Sequence, residues 1–93
     1  MFSINSTIKI PRDVLLRKLK DEAVALDLAT GTYYGLDEVA TRIWALLAER
    51  GSISETIDVL LQEYDAERLE LESYVMEFID QLHSYGLVEV VES

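Results

Sequence analysis

The sequence predicts an α+β domain in which a three-stranded antiparallel sheet is followed by three helices. Two periodicities carry this prediction. In the first third of the chain apolar residues alternate with polar ones, which is the period of strands. From residue 38 onward apolar residues recur every three or four positions, which is the period of amphipathic helices. At 93 residues the chain is long enough for one modest core, so we expect a single domain over residues 1–93.

Three segments form the predicted sheet. Val14–Leu19 is the first strand, the polar residues 20–22 suit a turn, and Ala23–Leu28 runs back as the central strand. Gly31 supplies the positive φ of a tight hairpin, and Thr32–Leu36 then forms the third strand. Within the central strand, Val24, Leu26 and Leu28 face one side while Ala25 and Asp27 face the other.

The first helix is predicted from Glu38 to Arg50. Asp37 can cap its start, and Gly51 suits the left-handed position after its end. Its apolar stripe contains Val39, Ala40, Ile43, Trp44, Leu46 and Leu47.

Two more helices come after short connections. Ser52 and Glu55 have the spacing of a capping box for the second helix, Asp65 is a candidate cap for the third, and Gly86 can end the third. The buried positions are predicted to be Ile53, Ile57, Leu60, Leu61 and Tyr64 in the second helix and Leu71, Val75, Phe78, Ile79 and Leu82 in the third. Ser3–Pro11 is weakly patterned with a possible short strand, and Leu87–Val91 is a terminal strand or an extended tail.

The strand Thr32–Leu36 leads directly into a helix, so it cannot form a second hairpin with the next segment of the chain. In a simple meander it is therefore an edge strand with unpaired backbone groups. The unpaired N–H and carbonyl groups of such an edge favour aggregation unless a partner strand pairs with them. Tyr33 and Tyr34 are strand neighbours and face opposite sides, so one ring can pack inside while the other stays near the surface or lines a groove beside the edge.

The composition argues against an enzyme, a metalloprotein or a cofactor-binding protein. The chain has no cysteine and a single histidine, His83, so thiolate ligands are absent and zinc lacks its usual ligands. Neither a nucleophile–base arrangement nor a phosphate-binding glycine loop is present in the sequence. The N-terminus does not resemble a signal peptide and no apolar stretch is long enough to span a membrane, so we expect a soluble cytoplasmic protein.

The charge is strongly asymmetric. The formal net charge is −10, and from Gly51 onward eleven acids face only one basic residue, Arg68. These acids either solubilise the helices or attract a basic peptide or protein. Three capped helices and an extended tail are typical of a winged helix-turn-helix, but an acidic third helix is unsuited to the DNA major groove, so we expect no nucleic-acid partner.

The chain resembles the PqqD family, and within it the RiPP recognition elements that stand alone in lasso-peptide gene clusters. The resemblance covers roughly residues 14–88 and leaves Met1–Pro11 outside. It rests on an ordered set of motifs: the strand Leu26–Leu28, a turn with Asp27, Thr30 and Gly31, the run from Tyr33 to Asp37, and Ile43 with Trp44.

The resemblance implies a peptide-binding protein that recognises the leader of a ribosomally synthesised precursor peptide and presents it to a separate leader peptidase. The leader is expected to add a strand to the third strand of the sheet and to lie against the third helix. The resemblance thus implies these peptide-binding residues: Thr32, Tyr33, Tyr34, Gly35, Leu36, Leu71, Tyr74, Val75 and Phe78. Two alternatives remain, namely leader delivery to a radical-SAM or other modifying enzyme and a winged-helix DNA-binding regulator.

Overall fold

A computed structural model describes residues 3–91 of the chain; Met1 and Phe2, which belong to the N-terminal segment without an assigned role, lie outside the described residues. It confirms the α+β class, with a three-stranded antiparallel sheet followed by three helices. In chain order the elements are β1 (Thr7–Lys9), β2 (Val14–Leu19), β3 (Glu22–Asp27), β4 (Tyr33–Leu36), α1 (Glu38–Arg50), α2 (Ile53–Glu63), α3 (Arg68–Ser84) and β5 (Glu89–Val91).

The main sheet has the order β2-β3-β4, so the predicted central strand is confirmed. Leu16 lies opposite Ala25 on one side of β3, and Tyr34 lies opposite the same residue on the other side. Gly31 has a φ of +78° in the turn between β3 and β4, as the hairpin requires.

The buried side of β3 is its alanine side. Ala23 and Ala25 are buried, Val24 and Leu26 are half-buried, and Leu28 is exposed beyond the end of the strand. The alternation predicted from the sequence is therefore present, but small side chains face inward because α1 packs on that face of the sheet. The core consists mainly of helical residues, of which the largest fully buried ones are Ile43, Leu46, Leu47, Ile53, Ile57, Leu60, Val75, Ile79 and Leu82.

Most of the predicted helix ends are confirmed. The Asp37 carboxylate accepts the Ala40 N–H at 2.8 Å, and the Ser52 hydroxyl accepts the Glu55 N–H at 3.2 Å. Gly51 is left-handed, and its N–H donates to the Leu47 carbonyl after α1. Gly86 is also left-handed and lies just after the end of α3.

The predicted cap of the third helix is wrong. The N-cap residue of α3 is Glu67 rather than Asp65, and its side chain makes no capping hydrogen bond. The backbone is extended at Tyr64 and again at Glu67, so the connection from α2 is longer than the sequence pattern suggested. Arg68 holds the first turn of α3 by bonding Glu72 at 2.8 Å and Asp58 of α2 at 3.0 Å.

The two ends of the described chain form a second, two-stranded sheet. β1 pairs with β5 in antiparallel register, with Thr7 opposite Val91. Ile8 is buried, and its N–H donates to the carbonyl of Gly51 between α1 and α2. Both the possible N-terminal strand and the terminal strand predicted from the sequence are thus present. Within residues 3–91, none of the helices has the length and hydropathy needed to traverse a lipid bilayer.

Candidate functional site

The main sheet has two edge strands, β2 and β4, and they differ in charge. β2 carries Arg17 and Lys18, side chains of the kind that blunt sheet edges against unwanted pairing. β4 consists of Tyr33-Tyr34-Gly35-Leu36 and carries no charge. Of the two edges, β4 is therefore the one open to pairing with another strand.

The register identifies which backbone groups of β4 face outward. The Asp27 N–H donates to the Thr32 carbonyl at 2.8 Å, so residues 27 and 32 form a hydrogen-bonded pair. Hydrogen-bonded and non-hydrogen-bonded pairs alternate along an antiparallel ladder, so Tyr34 and Leu36 bond to β3. The N–H and carbonyl groups of Tyr33 and Gly35 therefore point away from the sheet.

The two neighbouring tyrosines lie on opposite faces of β4. Tyr33 is 72% exposed on the outer face of the sheet. Tyr34 is half-buried on the inner face, where its ring packs against Phe78 and Tyr85 with centroid distances of 6.4 and 5.4 Å. The Tyr34 hydroxyl donates a hydrogen bond to the side-chain oxygen of Gln81. The expected division between an outer and an inner ring is thus observed.

A cleft of about 320 Å³ lies between β4 and α3. We call it the edge cleft, because it lies beside the outward-facing backbone of Gly35. Its lining combines aromatic rings from both elements with two carboxylates, and it consists of Tyr34, Gly35, Asp37, Ala40, Tyr74, Glu77, Phe78 and Gln81.

A second cleft, of about 280 Å³, continues from Tyr74 towards α2. We call it the apolar cleft, since its exposed lining is mostly apolar. It is formed by Val39, Leu60, Tyr64, Ala66, Glu70, Leu71 and Tyr74. Tyr74 is shared by both clefts and is 46% exposed between them.

The electrostatics of Tyr74 reflect this position. Partial burial is the main cause that raises the pKa of the Tyr74 hydroxyl, and the nearby Asp37 carboxylate raises this pKa further. The Tyr74 phenol therefore stays protonated near neutral pH and can donate a hydrogen bond to a ligand.

The structure brings together most of the residues predicted for peptide binding. Tyr34, Gly35, Tyr74 and Phe78 line the edge cleft, and Leu71 lines the apolar cleft. Tyr33 offers outward backbone groups, whereas Thr32 precedes β4 in the turn. Leu36 and Val75 are core residues, 3% and 0% exposed, and their side chains line neither of these clefts.

Sequence reasoning missed several lining residues. Asp37 is predicted from the sequence as a helix cap, and neither Glu77 nor Gln81 is among the predicted binding residues, yet all three line the edge cleft. A signal was present, because Glu77, Phe78 and Gln81 lie three, four and seven positions after Tyr74 and so share one helix face with it. Within residues 3–91, no three histidine, aspartate or glutamate side chains lie together in a way that could hold a metal ion.

Two solved structures share this fold. The chain is similar to one titled "TbiB1 in Complex with the TbiA(beta) Leader Peptide", with 40% sequence identity and a TM-score of 0.82 over 87% of this chain and 94% of that one. It also resembles one titled "Lasso peptide synthetase B1 complexed with the leader peptide", with 22% identity and a TM-score of 0.80 over 89% and 98% of the two chains. The second likeness concerns the fold alone. No curated protein sequence matches the chain.

The family comparison covers the elements that build both clefts. The model of coenzyme PQQ synthesis protein D (PqqD) matches residues 22–88, which span β3, β4 and all three helices. This match extends over more than half of the chain. The protein therefore belongs to the PqqD family.

Proposed function

We propose that this protein binds the leader of a ribosomally synthesised precursor peptide and presents it to a maturation enzyme, in the setting of lasso-peptide biosynthesis. The observation that carries the proposal is the uncharged free edge of β4 beside the edge cleft. A 40% identical relative, TbiB1, has been solved in complex with a leader peptide, which supports the same class of ligand here.

The leader would add a fourth strand to the sheet at β4. Tyr33 and Gly35 each offer one N–H and one carbonyl to it, which would give sequence-independent affinity. Alternate side chains of an added strand point to opposite faces, so every second leader residue would face α3. Those residues would enter the edge cleft and the apolar cleft, which would provide the specificity.

The protein itself would carry out no chemistry. Its only histidine, His83, is on the last turn of α3 and lines neither cleft. A leader peptidase of the same pathway would perform the cleavage, and this protein would supply substrate recognition. Delivery to another modifying enzyme would use the same edge strand.

Titration with two peptides tests the proposal. The first is the TbiA(beta) leader, and the second is the leader of a precursor encoded beside this chain. We expect saturable binding, with backbone amide shifts concentrated at Tyr33–Leu36 and along residues 71–81. A scrambled version of each leader is the control and should bind more weakly, because it keeps the backbone groups but loses the order of side chains that fit the clefts.

The proposal fails if neither leader binds at concentrations of about 100 μM, where even weak specific complexes form. It also fails if saturable binding moves the amides of β2 or of the β1–β5 sheet and leaves β4 unaffected. The second outcome would place the ligand on another surface of the molecule.

A further inference from the structure

We propose that the edge cleft selects leaders that carry a lysine or arginine, whose cationic group it holds between its aromatic walls and the carboxylates of Asp37 and Glu77. This inference rests on the proposed function, because the cationic side chain would arrive on the strand that pairs with β4. It concerns which leaders are accepted rather than whether leaders bind.

The walls of the cleft suit a long cationic side chain. Tyr34 and Phe78 pack edge to face at a centroid distance of 6.4 Å, and Tyr74 stands on the same helix one turn before Phe78. Aromatic faces attract ammonium and guanidinium groups, and the aliphatic stem of lysine or arginine packs well against rings. An apolar side chain would gain only the packing.

The charge of the cleft favours a cation over other polar groups. Asp37 and Glu77 are both exposed at its rim, and its lining residues include no basic side chain that neutralises them. The capping bond of Asp37 uses Oδ1, and a carboxylate has further acceptor sites for a ligand donor. A leader carboxylate in this place would be repelled and left without a partner.

The apolar cleft carries less negative charge than the edge cleft beside it. The apolar cleft has one carboxylate, Glu70, among mainly apolar and aromatic side chains. A cationic residue therefore gains most beside β4, at Tyr34 and Glu77, and an aliphatic residue gains most on the other side of Tyr74.

The experiment uses whichever of the two leaders binds the protein. Each lysine of that leader is replaced singly by norleucine and each arginine by citrulline, which removes the charge and keeps the aliphatic stem. Dissociation constants are measured for the parent protein and for Glu77→Gln, Asp37→Asn and Glu49→Gln. Asparagine keeps the capping oxygen at residue 37, and Glu49 is an exposed acid of α1 outside both clefts.

We expect one neutralised leader position to weaken binding to the parent by about five- to thirtyfold. When the binding partner is Glu77→Gln or Asp37→Asn, the same leader change should cause a fold-loss of affinity at least about threefold smaller than the one it causes with the parent. With Glu49→Gln the fold-loss should equal that of the parent. The inference is overturned if every neutral leader binds the parent within about twofold of the original, or if the loss is equal in all four proteins. Either result leaves leader binding itself intact, whereas failure of the unmodified leaders to bind would overturn the proposed function.

Discussion

The hydroxyl of Tyr34 donates a hydrogen bond to the side chain of Gln81 and so joins the free edge strand to α3 across 47 positions of sequence. The same ring contacts Phe78 and Tyr85, so one side chain of β4 packs on the last two turns of the helix and on the residue that follows it. This contact sets the distance between the edge strand and the helix, and with it the width of the edge cleft.

Tyr34→Phe should therefore weaken leader binding while leaving the fold intact. Phenylalanine keeps the ring contacts and removes only the hydrogen bond, which is worth about 0.5–1.5 kcal/mol net. We expect a loss of stability within that range in urea unfolding and a loss of leader affinity of several-fold in calorimetry. Tyr33→Phe is the matched control, because the Tyr33 ring is exposed on the outer face of the sheet, away from both clefts. Equal affinities of Tyr34→Phe and the parent would show that this bond does not shape the site.

Single proline substitutions along β4 should have effects that alternate from one residue to the next. Gly35→Pro and Tyr33→Pro remove outward N–H groups, so leader binding should be lost while the fold remains, as judged by circular dichroism. Tyr34→Pro removes an N–H that bonds to β3 and should lower stability as well. A lost ladder bond contributes about 0.5–1.5 kcal/mol, and the clash of the proline ring adds to it.

Gly35→Ala is the control for Gly35→Pro. A Cβ at residue 35 meets no heavy atom within 4 Å, and alanine keeps the N–H. Gly35→Ala should therefore retain both fold and leader binding. Folded Gly35→Pro and Tyr33→Pro variants that bind the leader like the parent would rule out strand addition at β4.

The ion pair between α1 and α2 should make stability fall in acid. Arg42 Nε lies 2.8 Å from the Glu63 carboxylate, and this hydrogen bond is the main cause that lowers the pKa of Glu63. Because the pKa of Glu63 is lower in the folded state than its ordinary value of 4.5, the ion pair contributes fully to stability above pH 4.5. This contribution is lost as the pH falls through the folded-state pKa of Glu63. Urea unfolding between about pH 7 and about pH 3 should show a smaller acid loss for Glu63→Gln than for the parent.

Asp65→Asn supplies the comparison, because Asp65 is an exposed carboxylate outside this ion pair. It should reproduce the acid loss of the parent. If Glu63→Gln and the parent lose stability in parallel, the pair makes no contribution that depends on pH.

Salt should change leader affinity only moderately. The acidic helices would speed the encounter with a leader that carries basic residues, and ions screen exposed charges beyond about 8–10 Å at physiological ionic strength. Strand pairing and apolar contacts are little affected by screening. Calorimetric titrations at low and high sodium chloride should therefore differ by a modest factor. Complete loss of binding at high salt would mean that electrostatic attraction, rather than strand addition, holds the complex.

The sequence predicts local features of this fold well. Helix caps at Asp37 and Ser52 and left-handed glycines after helices are decided by a few adjacent residues, and all of these predictions are confirmed. The third helix shows the limit, because Asp65 is the better cap by residue type, whereas the helix begins after Glu67, whose side chain makes no capping bond. Arg68, the first residue of α3, bonds Glu72 one turn on and Asp58 of α2, and a capping pattern does not encode these contacts.

Features that depend on contacts between distant residues are harder to predict from the sequence. The burial of Ala23 and Ala25 depends on how closely α1 approaches β3, which no strand pattern encodes. The pairing of Thr7 with Val91 joins opposite ends of the chain. At the candidate site, Glu77 and Gln81 line the cleft only because β4 lies beside them, so a helix pattern alone does not identify them as lining residues.

The β1–β5 sheet bears on how this domain can be combined with other proteins. Because Thr7 lies opposite Val91, the chain enters and leaves the folded unit at one place. A domain with adjacent ends can be inserted into a surface loop of a host protein without pulling the host apart. Residues 3–91, which include the buried Ser6, should therefore keep their fold when inserted into a larger polypeptide, and the edge of β4 would remain available there.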